Sequence, residues 1–213
     1  MSKLSRLLLA VAGVLLGGMF VFPIWRIGLI APQYPEGLGM LIRVDGVGGL
    51  APTDLDNINE LNHYIGMKVI DPGAIPELKL MPWLVGALVA VAFVAAAWGN
   101  RRVAWTWVGG LVAFGVAGIA DFWRWMYDYG HNLDFEHAII KVTGMTYSPP
   151  IIGSKQLLNF TATSWPWIGA WCAGAALALG VFALVFVTRP VGKTADDVAR
   201  QSPAGARLAA ARS

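Results

Sequence analysis

Residues 81–126 read MPWLVGALVAVAFVAAAWGNRRVAWTWVGGLVAFGVAGIADFWRWM. They contain two apolar runs, 81–98 and 103–126, separated by the short segment Gly-Asn-Arg-Arg. A helix needs about 20 residues to cross the hydrocarbon core of a bilayer, so both runs are long enough to span it. The short connection makes the two helices antiparallel neighbours. This stretch therefore predicts a helical hairpin in a membrane.

Two further apolar runs lie at residues 7–23 and 165–187. The chain of 213 residues is 56% hydrophobic and only 14% charged, whereas a soluble domain carries roughly 25% charge. Lys3 and Arg6 precede the first run, as in a signal peptide. The run continues to Trp25 without a small-residue cleavage site, which predicts an uncleaved anchor. We therefore expect an all-α integral membrane protein with a bundle of four transmembrane helices.

The basic residues predict the orientation of this bundle. With the N-terminus in the cytoplasm, the cytoplasmic segments hold nine of the 16 Lys and Arg residues but only two of the 13 Asp and Glu residues. Such a bias is typical of an N-in/C-in topology. The expected divisions are a cytoplasmic end with the first helix (1–25), an extracytoplasmic loop (26–80), the helical hairpin (81–126), a second extracytoplasmic loop (127–164), the fourth helix (165–187) and a cytoplasmic tail (188–213). The expected location is the bacterial cytoplasmic (inner) membrane.

The first long loop contains patterns typical of secondary structure. Residues 40–47 hold Asp45-Gly46 between apolar residues, which predicts a small β-hairpin. A helix is expected to begin at Thr53 or Asp54 and to end near Gly66. Its apolar residues, Leu55, Ile58, Leu61 and Ile65, share one face. We therefore expect an amphipathic helix that lies on the top of the bundle or on the lipid interface.

Two features within the apolar runs concern packing. Small residues recur at four-residue spacing in the segments beginning at Gly13, Gly109 and Ala170. This spacing favours close helix approach, although small residues can also reflect composition alone.

Asp121 and Arg124 are the only charged pair inside a run. Intramembrane charges often mark function. Since this pair lies close to the outer end of its helix, we favour a structural role that ties the helix to the outer loops.

Four residues of the outer loops are candidate metal ligands: His63, Met67, His131 and His137. Imidazole and thioether groups suit copper, the thioether Cu(I) in particular. His63 and Met67 are four residues apart, so on one helix they would face the same ion. Glu60, Asp128 and Asp134 each precede a histidine by three residues, a spacing at which a carboxylate can orient an imidazole. The simpler alternative is that these are structural histidines, since the membrane confines histidine to the loops.

Absent motifs narrow the possible functions. The chain has no phosphate-binding loop, no HExxH and no G-x-S-x-G. Its one cysteine, Cys172, excludes an internal disulfide and the usual zinc sites. No histidine lies in an apolar run, which disfavours a haem held between helices. Nothing in the sequence indicates nucleic-acid binding.

Three loop stretches resemble a known family. They are residues 31–38 (APQYPEGL), 57–67 (NINELNHYIGM) and 147–160 (YSPPIIGSKQLLNF). They are similar to small bacterial membrane proteins encoded near nitrous oxide reductase and its copper-supply genes. The resemblance implies a role in assembling or supplying a periplasmic copper enzyme. It assigns no catalytic residue and makes His63 and Met67 the first candidate ligands.

Three hypotheses of function follow. The leading one is a non-enzymatic accessory or assembly factor that acts through its extracytoplasmic loops in copper handling, with another membrane or periplasmic protein as partner. The second is a structural accessory subunit of a larger membrane enzyme or respiratory complex. The third is a membrane enzyme that uses Asp128, His131, Asp134 and His137 as acid–base groups.

Overall fold

A computed structural model describes residues 1–141 and 146–187, so the expected cytoplasmic tail at 188–213 lies outside the described residues. Four of its helices are long and apolar enough to cross a membrane. The helices are α1 (Lys3–Gly17, continued by a 3-10 turn Gly18–Phe20), α2 (Asp54–Tyr64), α3 (Glu77–Trp98), α4 (Arg101–His131) and α5 (Ile168–Phe182, continued by a π turn Ala183–Val187). The strands are β1 (Trp25–Ala31), β2 (Tyr34–Ile42), β3 (Val47–Gly49), β4 (Gly153–Leu157) and β5 (Phe160–Pro166).

The expected all-α fold is wrong, because the two long loops build a five-stranded antiparallel sheet with the order β3-β2-β1-β5-β4. Its central pairing joins β1 of the first loop to β5 of the second, with Ile27 opposite Ser164. The buried positions of β5 are Ala162 and Ser164, whose small side chains produce no hydrophobic alternation. A pairing between segments so distant in sequence also leaves no local pattern. The protein is therefore a mixed α/β membrane protein.

The first loop contains the predicted hairpin and helix. β2 pairs with β3 across the Asp45-Gly46 turn, and Ile42 lies opposite Val47. The helix α2 does not lie on the lipid interface, because its apolar face packs on the sheet. Ile58 is buried against Leu38 and Met40 of β2. This small second core gives the extramembrane part its own packed interior.

The membrane helices form a ring in which α1 and α4 each contact both α3 and α5. Their bounds differ from the predicted runs chiefly at the ends that connect to the two long loops. α3 begins at Glu77 rather than residue 81, and α4 continues to His131 rather than ending near 126. Trp165 and Pro166 belong to β5, so α5 begins only at Ile168. The start of α3, the end of α4 and the start of α5 thus lie at the same end of the bundle as the sheet.

At the opposite end of the bundle, arginines donate to main-chain carbonyls of neighbouring helices. Arg6 donates to the carbonyls of Ala96 and Ala97 at 2.7 and 2.6 Å. Arg101 donates to the carbonyl of Leu184 at 3.4 Å. The carbonyls of Ala96 and Ala97 lie in the last turn of α3, where carbonyls lack an intrahelical donor and positive charge is favourable. Arg6, one of the basic residues that predicted the orientation, therefore also stabilises the end of α3.

The Asp121–Arg124 pair is part of a three-residue ionic group. Arg124 Nη2 lies 2.8 Å from Asp121 Oδ1 and 2.7 Å from Glu77 Oε1. Glu77 is the first residue of α3, so the guanidinium connects α4 to the start of the neighbouring helix. This contact agrees with the expected structural role, although the sequence did not indicate Glu77 as the partner.

Candidate functional site

The two long loops meet and form one extramembrane domain. Candidate ligands from different loops can therefore lie close together. Beyond the β1–β5 pairing, the N–H of Asp134 donates to the carbonyl of Gly66 at 2.8 Å. The N–H of Ile140 donates to the carbonyl of Tyr64 at 2.8 Å. Lys68 Nζ lies 2.7 Å from Asp128 Oδ2. The end of α2 is therefore held directly against the segment that follows α4.

The turn after α2 determines where Met67 lies. The N–H of Gly66 donates to the carbonyl of His63, and the N–H of Met67 donates to the carbonyl of Asn62. Together with the φ of +75° at Gly66, these bonds form a Schellman helix end. The helix stops at Tyr64, so the expectation that His63 and Met67 share a helix face is wrong. Met67 lies beyond the end of the helix, in the turn.

Gly66 is required by this geometry for two independent reasons. Its φ of +75° lies in the left-handed region that favours glycine. A Cβ at this position would also lie 2.6 Å from the carbonyl oxygen of Asp134 and 3.1 Å from Cβ of Ala138. Sequence reasoning identified Gly66 only as a helix end. Its role as the contact point between the two loops depends on a long-range approach that no local pattern shows.

Beside this contact lies a cleft with a volume of about 300 Å³. Its walls bring together three of the four predicted ligands and leave out the fourth, His131. The lining residues are His63, Gly66, Met67, Lys68, Val69, Asp134 and His137. The cleft therefore combines two imidazoles and a thioether that come from different loops.

Asp134 positions the ring of His137. The Nδ1 atom of His137 lies 2.7 Å from Asp134 Oδ2, as the three-residue spacing predicted. The side-chain hydrogen bond from His137 holds the pKa of Asp134 below its usual value, with a further contribution from the backbone N–H of His137. A carboxylate at Nδ1 leaves Nε2 as the free ring nitrogen. This is the arrangement in which histidine commonly binds metals in proteins.

His131 lies in a different environment. Its ring stacks on Tyr127 with centroids 3.8 Å apart. Its Nδ1 lies 2.9 Å from the carbonyl oxygen of Tyr127 and 3.1 Å from Ser148 Oγ. Asp128, its expected carboxylate partner, instead pairs with Lys68. Of the four residues of the acid–base hypothesis, Asp134 and His137 line the cleft, whereas Asp128 and His131 do not.

The residues of the cleft fit copper by the type of their donor atoms. Two imidazoles and a thioether are ligands that suit Cu(I). Within residues 1–141 and 146–187, no group of three or more His, Cys, Asp or Glu residues is placed to hold a metal ion. A copper ion in the cleft would therefore depend on Met67 in addition to the two histidines. Sequence reasoning did not select Lys68, which also lines the cleft and whose ammonium pairs with Asp128.

Comparison with models of known protein families gives no match, and comparison with curated proteins gives none either. The function is therefore inferred from the geometry of this chain and from the resemblance of its loops.

Proposed function

We propose that the protein is a non-enzymatic accessory or assembly factor that acts through its extramembrane domain and handles copper in the His63–His137 cleft. The observation that carries this proposal is that the fold brings His63, Met67 and His137 from two distant loops to the walls of one cleft. The resemblance to proteins encoded near nitrous oxide reductase supports copper as the metal. It also supports a periplasmic metalloenzyme as the recipient.

The exposure of the ligands favours transfer over storage. His63 and His137 are exposed, while Met67 is half-buried. A site at the surface of a folded domain lets a partner protein approach the ion directly. The four helices that can span a membrane would hold this site at the bilayer surface. On the predicted N-in/C-in topology, that surface is the periplasmic one.

The second hypothesis, an accessory subunit of a larger membrane complex, has one observation in its favour. Large apolar side chains of the two loops are exposed, among them Val69 of the cleft wall at 60% and Ile139 at 63%. Such side chains are typical of a surface that contacts another protein. Purification in mild detergent should then recover stoichiometric partner subunits. A monodisperse single chain would contradict this hypothesis.

The experiment that tests the copper proposal is metal analysis by mass spectrometry on protein purified in mild detergent without chelators, after growth with added copper. We expect about one copper per chain in the wild type and loss of that copper in His63→Ala and in His137→Ala. His131→Ala is the matched control, because this histidine belongs to the same domain but does not line the cleft. Metal-free wild-type protein, or equal loss in all three variants, would overturn the proposal.

A further inference from the structure

A second and larger cavity, with a volume of about 510 Å³, lies where the extramembrane domain meets the bundle. One side is the inner face of the sheet, including Ile27 and Leu29 of β1. The other side is formed by the membrane helices α4 and α5, including Phe114 and Leu177. Apolar side chains make up most of the lining. The cavity therefore continues from the membrane-spanning part of the bundle into the folded domain.

The cavity is elongated along the bundle. Its lining residues on α4 extend from Leu111 to Tyr129. At 1.5 Å per residue this distance is roughly 27 Å along the helix axis, close to the thickness of a hydrocarbon core. An elongated apolar space of this kind matches an extended hydrocarbon chain better than a compact ligand.

Glycines keep this space open. Gly115, Gly118 and Gly174 line the cavity, and a Cβ added at any of them would meet no atom within 4 Å. The predicted close packing through Gly174 is therefore absent. By contrast, a Cβ at Gly13 would lie 3.2 Å from Cβ of Ala92, so this glycine does permit close packing of α1 on α3. Gly115, Gly118 and Gly174 therefore leave room at the cavity, whereas Gly13 permits a close helix contact elsewhere in the bundle.

Three polar atoms at the cavity are buried and without a hydrogen-bond partner among the described residues. They are Glu77 Oε2, Trp125 Nε1 and the hydroxyl of Tyr147, and all three residues line the cavity. Tyr147 is only 1% exposed. Leaving a buried donor or acceptor unpaired is unfavourable, and most such groups in folded proteins have partners. Three of them around one apolar cavity indicate a bound polar group.

We propose that this cavity binds one amphiphile with a long apolar chain and a hydroxyl-bearing polar group. The indole N–H of Trp125 can only donate, and an ionised Glu77 Oε2 can only accept, while the hydroxyl of Tyr147 can do both. A hydroxyl is the simplest group that accepts from one and donates to the other. An anionic head group fits less well, because the two carboxylates of Glu77 and Asp121 line the cavity and share the single guanidinium of Arg124.

Acylglycerols of the bilayer and isoprenoid alcohols or quinols share this chemistry. Organic extraction of the purified protein, followed by mass spectrometry, distinguishes these sources by the mass of the extracted molecule. The cavity and the copper cleft share Met67, but no other residue of the cleft lines the cavity. We therefore expect His63→Ala, which removes a cleft ligand only, to leave amphiphile binding unchanged.

The direct test is native mass spectrometry of the full chain titrated with oleyl alcohol, and in parallel with its methyl ether, which lacks the hydroxyl donor. We expect one oleyl alcohol to bind per protein molecule. The ether should bind at least tenfold more weakly, because it loses one hydrogen bond and a loss of about 1.4 kcal/mol corresponds to a factor of ten. The paired substitution Gly118→Leu/Gly174→Leu should fill the cavity and abolish binding. Gly109→Leu is the control, since its position is equally open but does not line the cavity.

Tyr147→Phe separates a binding role from a structural one. Removal of an unpaired buried hydroxyl should leave the melting temperature of the ligand-free protein unchanged or raise it. The same substitution should weaken oleyl alcohol binding about tenfold.

The proposal is overturned if the Gly118→Leu/Gly174→Leu variant binds as well as the Gly109→Leu control, which would identify the bound molecules as ordinary surrounding lipid. It is also overturned if Tyr147→Phe leaves the affinity unchanged.

Discussion

The indole Nε1 of Trp25 donates to Ser164 Oγ at 2.8 Å, and both side chains are buried. Trp25 opens β1 and Ser164 lies in β5, so this bond joins the two loops at the centre of the sheet. Ser164 in turn donates to the carbonyl of Ile151 at 2.8 Å. One hydroxyl therefore satisfies polar groups from two segments.

Ser164→Ala is expected to lower the free energy of unfolding by about 1–3 kcal/mol, because it leaves a buried indole N–H without an acceptor. Thermal unfolding in mild detergent measures the change. Ser154→Ala is the control, since Ser154 lies in the adjacent strand and is exposed. A Trp25→Phe/Ser164→Ala double variant should lose less than the sum of the two single variants. Strict additivity would contradict the proposed role of the bond.

The sequence determined the membrane helices well because their signal is local. Each run of about 20 apolar residues must form its own hydrogen bonds in lipid, so length and hydrophobicity are sufficient to locate it. The sheet was missed because β1 and β5 are far apart in the chain, and β5 buries only small residues such as Ala162. Its stability comes from a pairing that neither segment reveals alone.

Gly66→Ala is expected to separate the two loops at the cleft. The substitution places a side chain in the left-handed region and a Cβ 2.6 Å from the carbonyl oxygen of Asp134. Backbone strain of this kind alone costs about 1–3 kcal/mol. Faster proteolysis near residue 66 and loss of copper should therefore occur together. Gly46→Ala is the control, because a Cβ there meets no atom within 4 Å.

The candidate site was predictable only in part. The sequence selected His63, Met67 and His137 by residue type, and the three-residue spacing of Asp134 and His137 correctly predicted their contact. It also included His131, which bonds to Ser148 and the carbonyl of Tyr127 away from the cleft. Residue type identifies possible ligands, but only the approach of the two loops decides which of them meet.

Arg124→Gln is expected to destabilise the bundle because it leaves Glu77 and Asp121 close together without a positive charge between them. Arg124 is 64% exposed, so water screens the interaction and we expect a loss of about 1 kcal/mol. Chemical unfolding in detergent measures it. Asp45→Asn, which removes an exposed 4.0 Å pair with Arg43, should change stability less. If Asp121→Asn fails to restore the stability of Arg124→Gln, repulsion between the carboxylates is not the cause.

Asp134→Asn tests whether the carboxylate orients His137 for metal binding. The amide keeps the size of the side chain but loses the charge that favours the hydrogen bond to Nδ1. Removal of such a partner typically weakens metal affinity 10- to 100-fold, and we expect a loss of that size in a competition titration with a Cu(I) chelator. Glu136→Gln, at a neighbouring exposed carboxylate, should leave the affinity unchanged. Equal affinities of Asp134→Asn and the wild type would mean that the carboxylate does not orient His137 for metal binding.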